Sequence, residues 1–138
     1  DVSTAANTTP VNVTGLTFNY VANSTYIVEV FGAIQAAAIT TGAGLQLDLS
    51  SVVTSVWGQF SHQLANTGTV TGGSSIADDA SVGVSSGLPT ANVVVPFYAS
   101  FLLRTGANAG TAQLRFRSEV AAVATIKAGT TMRVHKVL

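Results

Sequence analysis

The sequence contains no cysteine and few charged residues. Its 138 residues include six Lys or Arg and six Asp or Glu, so the charged fraction is 9% and the formal net charge is zero. Ordinary globular proteins carry about 25% charged residues. Without cysteine, a disulfide scaffold, a thiolate metal site and a cysteine nucleophile are excluded. The balanced charge argues against a nucleic-acid partner, which needs a basic stripe, and against binding to an anionic membrane.

Long hydrophobic runs are also missing. The run VFGAIQAAAITTGAGLQL is interrupted by Gln, Thr and Gly, and we expect no insertion into a membrane. Hydrophobic residues still make up 47% of the chain, which is enough for the core of a single domain. Because a monomer with so few charges tends to self-associate, we expect copies of the chain or a larger assembly to cover much of its surface.

What the sequence does contain is a repeated alternation of apolar and polar residues, which is typical of half-buried strands. The runs LTFNYV, TYIVEVFG and GLQLDLSSV each place alternate apolar residues on one face. In the last of them Gln46 and Asp48 are predicted to point outward. The run VVVPFYASFLLR is apolar throughout and predicts a strand covered on both faces, with Pro96 at an edge or a bulge.

Glycine-rich turn signals separate these runs, as in TTGAG, TGANAG and KAGTT. Residues 66–92 are predicted to form a long loop with a short strand near Ile76 to Val84. The stretch SVWGQFSHQL fits a strand or a helix, and we predict a strand because Gly58 weakens a helix. Roughly seven to nine short strands predict an all-β fold, an antiparallel sandwich or jelly roll. Residues 1–14 are predicted to form an extended arm and residues 15–138 the sandwich domain.

Few residues are available for catalysis. His62 and His135 are the only histidines, and no serine lies in the Gly-x-Ser-x-Gly turn of a hydrolase. Asp78 and Asp79 are adjacent, and ADDAS lacks the alternating oxygen ligands of a calcium loop. The shortage of acids makes a glycan-cleaving enzyme the weakest functional alternative. We therefore predict no enzymatic activity, no catalytic residue, no cofactor and no metal.

The stretch AQLRFRSEV places three of the twelve charged residues on one face of a strand, namely Arg115, Arg117 and Glu119. One interpretation is a solvated outer face with weak pairing between charges. The other is a partly buried polar network, inside the fold or between subunits, with Glu29 as the partner from another strand. The sequence leaves both interpretations open.

The C-terminal sequence GTAQLRFRSEVAAVATIKAGTTMRV resembles a pattern in structural proteins of tailed bacteriophages. That pattern runs G-T-L-x-L-R-F-x-S-E-V, then small residues, a T-I-K-A-G turn and a last strand. Upstream, LTFNYVANSTYIVEVFGAIQAAAITTGAGLQL is similar to the opening hairpin of the same family. The resemblance covers most of residues 15–50 and 93–138, and it does not extend to residues 51–92.

The resemblance implies a compact, often trimeric β-sandwich in a tail-fibre tip, a head fibre or a capsid decoration. We therefore expect a non-enzymatic homotrimer on the surface of the virion, assembled in the bacterial cytoplasm. Its other partners would be virion proteins of the capsid or fibre shaft, reached through the N-terminal arm. The alternative is a receptor-binding tip in which Trp57, Tyr98 and the 66–92 loop meet a host cell-surface glycan. For Trp57 a place in the core or in a subunit contact is favoured over contact with a ligand, because large aromatic side chains usually fill such places.

Overall fold

The computed structural model describes residues 1–63, 70–71, 74–75, 87–88 and 90–138, and every regular element among them is a strand. The strands are β1 Val2–Ser3, β2 Val11–Tyr20, β3 Thr25–Ala36, β4 Ala43–Leu49, β5 Val53–Gln63, β6 Val70–Thr71, β7 Ser74–Ser75, β8 Val95–Thr105, β9 Gly110–Ser118, β10 Ala124–Ile126 and β11 Thr131–Lys136. No helix that could span a membrane occurs in this part of the chain.

The strands form two antiparallel sheets. The large sheet has the order β1-β10-β3-β8-β5-β6, with β11 also beside β3 and β7 beside β5, and the small sheet has the order β2-β9-β4. From β2 to β5 the chain changes sheet at each connection. Strands β8 and β9 then return to lie between β3 and β5 and between β2 and β4. This is the strand order of a jelly roll, so the predicted sandwich class is confirmed.

The core lies between the two sheets and is formed by alternate residues of each long strand. In β3, Tyr26, Val28 and Val30 are buried, whereas Ile27 and Phe31 point out of the sandwich. The largest fully buried side chains include Tyr20, Phe60, Phe116, Ile34, Leu45, Leu103, Leu114 and Ile126. The stretch SVWGQFSHQL lies within β5, as predicted. The period-two pattern therefore located the core residues of these strands correctly.

The prediction that Gln46 points to solvent is wrong. Gln46 alternates with the inward leucines of β4, as expected, but only 1% of its surface is exposed. Residues 41–47 are all buried, so the first part of β4 is covered on both faces. Asp48, two residues further on, is partly exposed. Alternation identifies the face on which a residue lies, but it does not show whether that face is open.

The predictions for the Pro96 strand also need correction. β8 is a central strand between β3 and β5, so Pro96 does not lie on an edge strand. Pro96 is tolerated because it is the second residue of β8, and the pairing with β5 begins one residue later, at His62 and Phe97. In the single chain only the inner face of β8 is buried. On its outer face Tyr98 and Ser100 are half-buried, whereas Pro96, Leu102 and Arg104 are exposed.

Strand β2 is at the edge of the small sheet and contains a bulge. Its register with β9 shifts between Asn12 and Thr17, and Gly15 has a φ of 81°. The Gln113 side chain fills the gap, since its Nε2 donates to the carbonyl oxygens of Val13 at 3.0 Å and Leu16 at 3.1 Å. Bulges of this kind bend an edge strand and hinder uncontrolled pairing with other chains.

Both ends of the N-terminal segment 1–14 belong to strands. β1 pairs with β10 at the edge of the large sheet, and Val11 begins β2. The Asp1 carboxylate accepts a hydrogen bond from Ala128 N at 2.8 Å and contacts Lys127 Nζ. In this structure the first residues of the chain therefore lie along their own sandwich.

Candidate interaction surface on the large sheet

The outer face of the large sheet is formed by three rows of side chains that cross β11, β3, β8 and β5. Each row follows from the strand registers, and together we call these residues the sheet face. The rows are His135–Ile27–Leu102–Trp57, Arg133–Glu29–Ser100–Gln59 and Thr131–Phe31–Tyr98–Ser61. The strands present these side chains side by side, on a rigid four-stranded platform.

Large apolar side chains are exposed on the sheet face. The exposed fractions are 39% for Ile27, 37% for Leu102 and 41% for each of Phe31 and Trp57. Ile27, Leu102 and Trp57 are direct neighbours across three strands. Among the described residues, every other exposed large apolar side chain lies outside the strands, in connections or at the C-terminus. The sheet face is therefore the one place in this part of the chain where strands present exposed apolar residues together.

The centre of the sheet face is polar. Tyr98 Oη donates to Glu29 Oε1 at 3.2 Å, and His135 Nε2 lies 3.9 Å from Glu29 Oε2. The Phe31 and Tyr98 ring centroids are 5.0 Å apart, and the guanidinium carbon of Arg133 lies 5.8 Å from the Phe31 centroid. Aromatic and cation–π contacts of this kind contribute about 0.5–1.5 kcal/mol each. They hold these side chains in a defined arrangement on an open surface.

The structure brings together four of the residues singled out in the sequence. Trp57, Tyr98, Glu29 and His135 share the sheet face. Arg115 and Arg117 lie on the outer face of β9 in the small sheet, on the opposite side of the sandwich, and Glu119 directly follows the end of β9. The predicted network that joins Glu29 to the two arginines within one chain is therefore wrong. A contact of these residues between subunits stays a prediction.

On the small sheet the charged residues make hydrogen bonds and ion pairs to neighbouring segments of the chain. Arg115 Nη1 lies 3.7 Å from Asp48 Oδ2, and its Nη2 donates to the carbonyl oxygen of Pro10 at 3.4 Å. Glu119 Oε2 accepts a hydrogen bond from Gly42 N at 3.0 Å, which fixes the connection between β3 and β4. The Arg115–Asp48 pair is partly solvated and contributes well under about 1 kcal/mol. These contacts support the interpretation of an outer face with weak pairing.

The two histidines do not share a site. His62 is buried on the inner face of β5 beside Phe60, whereas His135 is exposed on the sheet face. Within the described residues no three His, Asp or Glu side chains are grouped as metal ligands. Asp78, Asp79 and the predicted strand Ile76 to Val84 lie outside the described residues, as does most of the predicted 66–92 loop.

Sequence reasoning missed Ile27, Phe31, Leu102 and Arg133 as members of this surface. A signal was present, since Ile27 and Phe31 are apolar residues at the positions of β3 that face away from the core. An ordinary half-buried strand has polar residues there. Apolar residues on both faces are typical of a strand that is packed on both sides.

No family model matches this chain, and no curated protein matches it. A solved structure from the Gx strain of infectious bursal disease virus is similar to it with a TM-score of 0.26 and 10% sequence identity. The similarity covers 96% of this chain and 35% of that chain. The present chain thus spans about a third of the length of the viral chain, and at this TM-score the likeness carries no inference about function.

Proposed function

We propose that the chain is a non-enzymatic structural protein of a tailed-bacteriophage particle, a homotrimeric capsid-decoration or fibre-knob domain. The observation that carries the proposal is the sheet face, where neighbouring strands expose Ile27, Leu102 and Trp57 in a chain with only 9% charged residues. An apolar patch of this kind marks an interaction site, and an open one makes a protein aggregate. Assembly into a closed oligomer covers it.

The architecture also fits a structural role. Both sheets are antiparallel, and long strands with buried alternate residues fill the core. Such a framework resists unfolding, and a particle that persists outside the cell needs kinetic stability more than flexibility. A closed trimer removes exposed surface from each copy without leading to open-ended fibres. The expected location is the surface of the extracellular particle, after assembly in the bacterial cytoplasm.

The N-terminal segment is the proposed element of attachment to other virion proteins. β1 has only two residues and lies at the edge of the large sheet. It is held there by the contacts of Asp1 and by three hydrogen bonds between Thr4 and Ala124. Thr4 N and Thr4 Oγ1 donate to the Ala124 carbonyl oxygen at 2.9 Å and 3.4 Å, and Ala124 N donates to Thr4 Oγ1 at 3.0 Å. So short a strand can be exchanged for pairing with a neighbouring protein, as in the strand addition of pilus subunits.

Deletion of residues 1–4 tests the role in the particle. We expect the wild-type chain to bind to particles that lack it, and the deletion variant to bind much less while it keeps the same oligomeric mass. Val13, in the core, is retained by this deletion. Co-sedimentation with purified particles measures binding, and circular dichroism serves as the control for folding. Failure of the wild-type chain to bind any particle of its virus would contradict the proposed function, and unchanged binding of the variant would refute the role of β1.

A second candidate function is binding of a host cell-surface glycan at the tip of a fibre. It is favoured by the exposure of Trp57 beside polar side chains such as Gln59 and Ser100, because aromatic rings stack on sugars while amides and hydroxyls bond to them. This function requires Trp57 to stay open in the assembled protein. An accessible Trp57 together with retention on a glycan array, lost in Trp57→Ala, would favour it over a contact between copies.

A further inference from the structure

We propose that the sheet face is the surface through which copies of this chain contact one another, with Trp57 inside the contact. The inference rests on the proposed function as a self-assembling structural protein, and it adds which side of the sandwich is covered. The occupant is a second copy of the chain. Three observations lead to it: the extent of the face, its charge and the sequence of its central strand.

The sheet face is large enough for a specific contact. β3 has 12 residues and β8 and β5 have 11 each, and β10 and β11 together continue the sheet on the far side of β3. Strands about 4.8 Å apart with a rise of about 3.3 Å per residue make this a surface of roughly 700 Å². Each partner in a specific interface contributes about 800 Å². The face is therefore of the size that a stable self-contact needs.

The charge of the sheet face is compatible with a contact between copies of the chain, and it does not fit a strongly charged partner. Its central row places Arg133 opposite Glu29, with Ser100 and Gln59 beyond them. A nucleic acid or an anionic membrane requires an excess of cations, which the centre of this face lacks. Each copy instead offers the Glu29 carboxylate and the Arg133 guanidinium beside the row of Ile27, Leu102 and Trp57, and the exposed Arg104 lies one row beyond that row. Around a three-fold axis, different parts of this face on neighbouring copies come together without net repulsion, and opposite charges can pair across the contact.

The central strand of the face has the sequence of a strand covered on both sides. The sequence VVVPFYASFLLR is mostly apolar. Of the outer side chains of β8, Pro96 and Leu102 are apolar and exposed in the single chain and Tyr98 is half-buried, whereas Ser100 and Arg104 are polar. Doubly apolar strands occur where both faces of a sheet are packed. A second copy on the sheet face supplies the cover that the single chain does not.

Trp57 reports directly on this contact because it is the only tryptophan in the sequence. We expect its fluorescence in the native protein to be blue-shifted and several-fold less quenched by acrylamide than that of a free tryptophan analogue. The control is Trp57→Phe combined with Asn19→Trp, which moves the tryptophan to an exposed position on the small sheet. Quenching of the control should approach that of the free analogue. The sedimentation mass of each protein is measured on the same samples.

The possible results distinguish a failure of the sheet-face assignment from a failure of the proposed function. An oligomer with a protected Trp57 and an open control tryptophan supports the proposal. An oligomer in which Trp57 is as open as the control overturns the assignment of the sheet face, and it leaves the structural role in place. If the protein is a single chain in solution, both the sheet-face assignment and the structural role are overturned. This holds even if Trp57 is protected, because residues of the same chain would then shield it. Binding of a glycan array by an oligomer with open Trp57 assigns the face to a sugar.

Discussion

Substitution of Leu102 by Asp is expected to dissociate the assembled protein into single chains that remain folded. Leu102 lies between Ile27 and Trp57 in the apolar row, and its side chain points out of the sandwich. In a contact between copies the new carboxylate would be buried without a partner, at a cost of about 3 kcal/mol or more. That corresponds to at least a roughly hundredfold weaker association. Sedimentation velocity at a series of concentrations measures the change.

The matched control for Leu102→Asp is Asn19→Asp, which adds the same charge at an exposed position of the small sheet. This control should keep the mass of the wild-type protein. Both variants should retain the circular dichroism of a β-sandwich, because neither position contributes to the core. If Leu102→Asp sediments with the wild-type mass, the sheet face does not form the contact.

Substitution of Gly32 by Val is expected to lower the free energy of unfolding by about 3 kcal/mol, near the upper end for overpacking of a core. Gly32 faces inward on β3, opposite Phe97. A Cβ at this position would lie 2.4 Å from Thr130 Oγ1 and 2.9 Å from Phe97 Cε1. Thr130 cannot easily yield, because its hydroxyl donates to the Lys127 carbonyl oxygen at 2.8 Å within the turn that joins β10 to β11. Urea unfolding at a fixed protein concentration measures the loss.

A second substitution identifies the cause of the loss at Gly32. If Thr130 occupies the space, Thr130→Gly should recover about 1–2 kcal/mol in the Gly32→Val background, and the two changes should not be additive. Ala33→Val adds methyl groups to the neighbouring residue of β3, which lies on the outer side of the strand, and it should cost less than about 1 kcal/mol. Strict additivity of the Gly32 and Thr130 effects would show that the two side chains do not compete for this volume.

The features of the fold that were predicted from the sequence depend on residues that are close together in the sequence. Alternation placed Tyr26, Val28 and Val30 on one face of β3, and in β9 it placed Arg115 and Arg117 together on one face. These assignments depend only on the period of a strand, which neighbouring residues determine. The glycine-rich turn KAGTT likewise contains Gly129 with a φ of 90°, a conformation that glycine adopts without strain.

The parts that could not be predicted depend on which strands become neighbours. Glu29 and Arg115 have suitable chemistry for a pair, but they belong to different sheets and point away from each other. β8 was predicted to lie at an edge or to contain a bulge because of Pro96, and only the register with β5 shows why a proline is tolerated there. Strand order arises from contacts between distant segments, and a single sequence does not display these contacts.

The candidate surface could be predicted only in part from the sequence. Trp57 and Tyr98 were identified by residue type, since large aromatic residues with a polar atom are enriched at interfaces. Their common face with Glu29 and Leu102 became visible only when β5 and β8 were aligned side by side. The exposed apolar residues of β3 and the doubly apolar sequence of β8 were signals in the sequence, and together they point to the same side of the sandwich.

The most direct measurement is the mass of the unmodified chain in solution, because the whole interpretation depends on a charge-poor sandwich being covered by its own copies. In sedimentation velocity at micromolar concentration we expect one species with the mass of three 14.0 kDa chains. A species of 14.0 kDa that persists at every concentration, soluble and with Trp57 open to quencher, would contradict it.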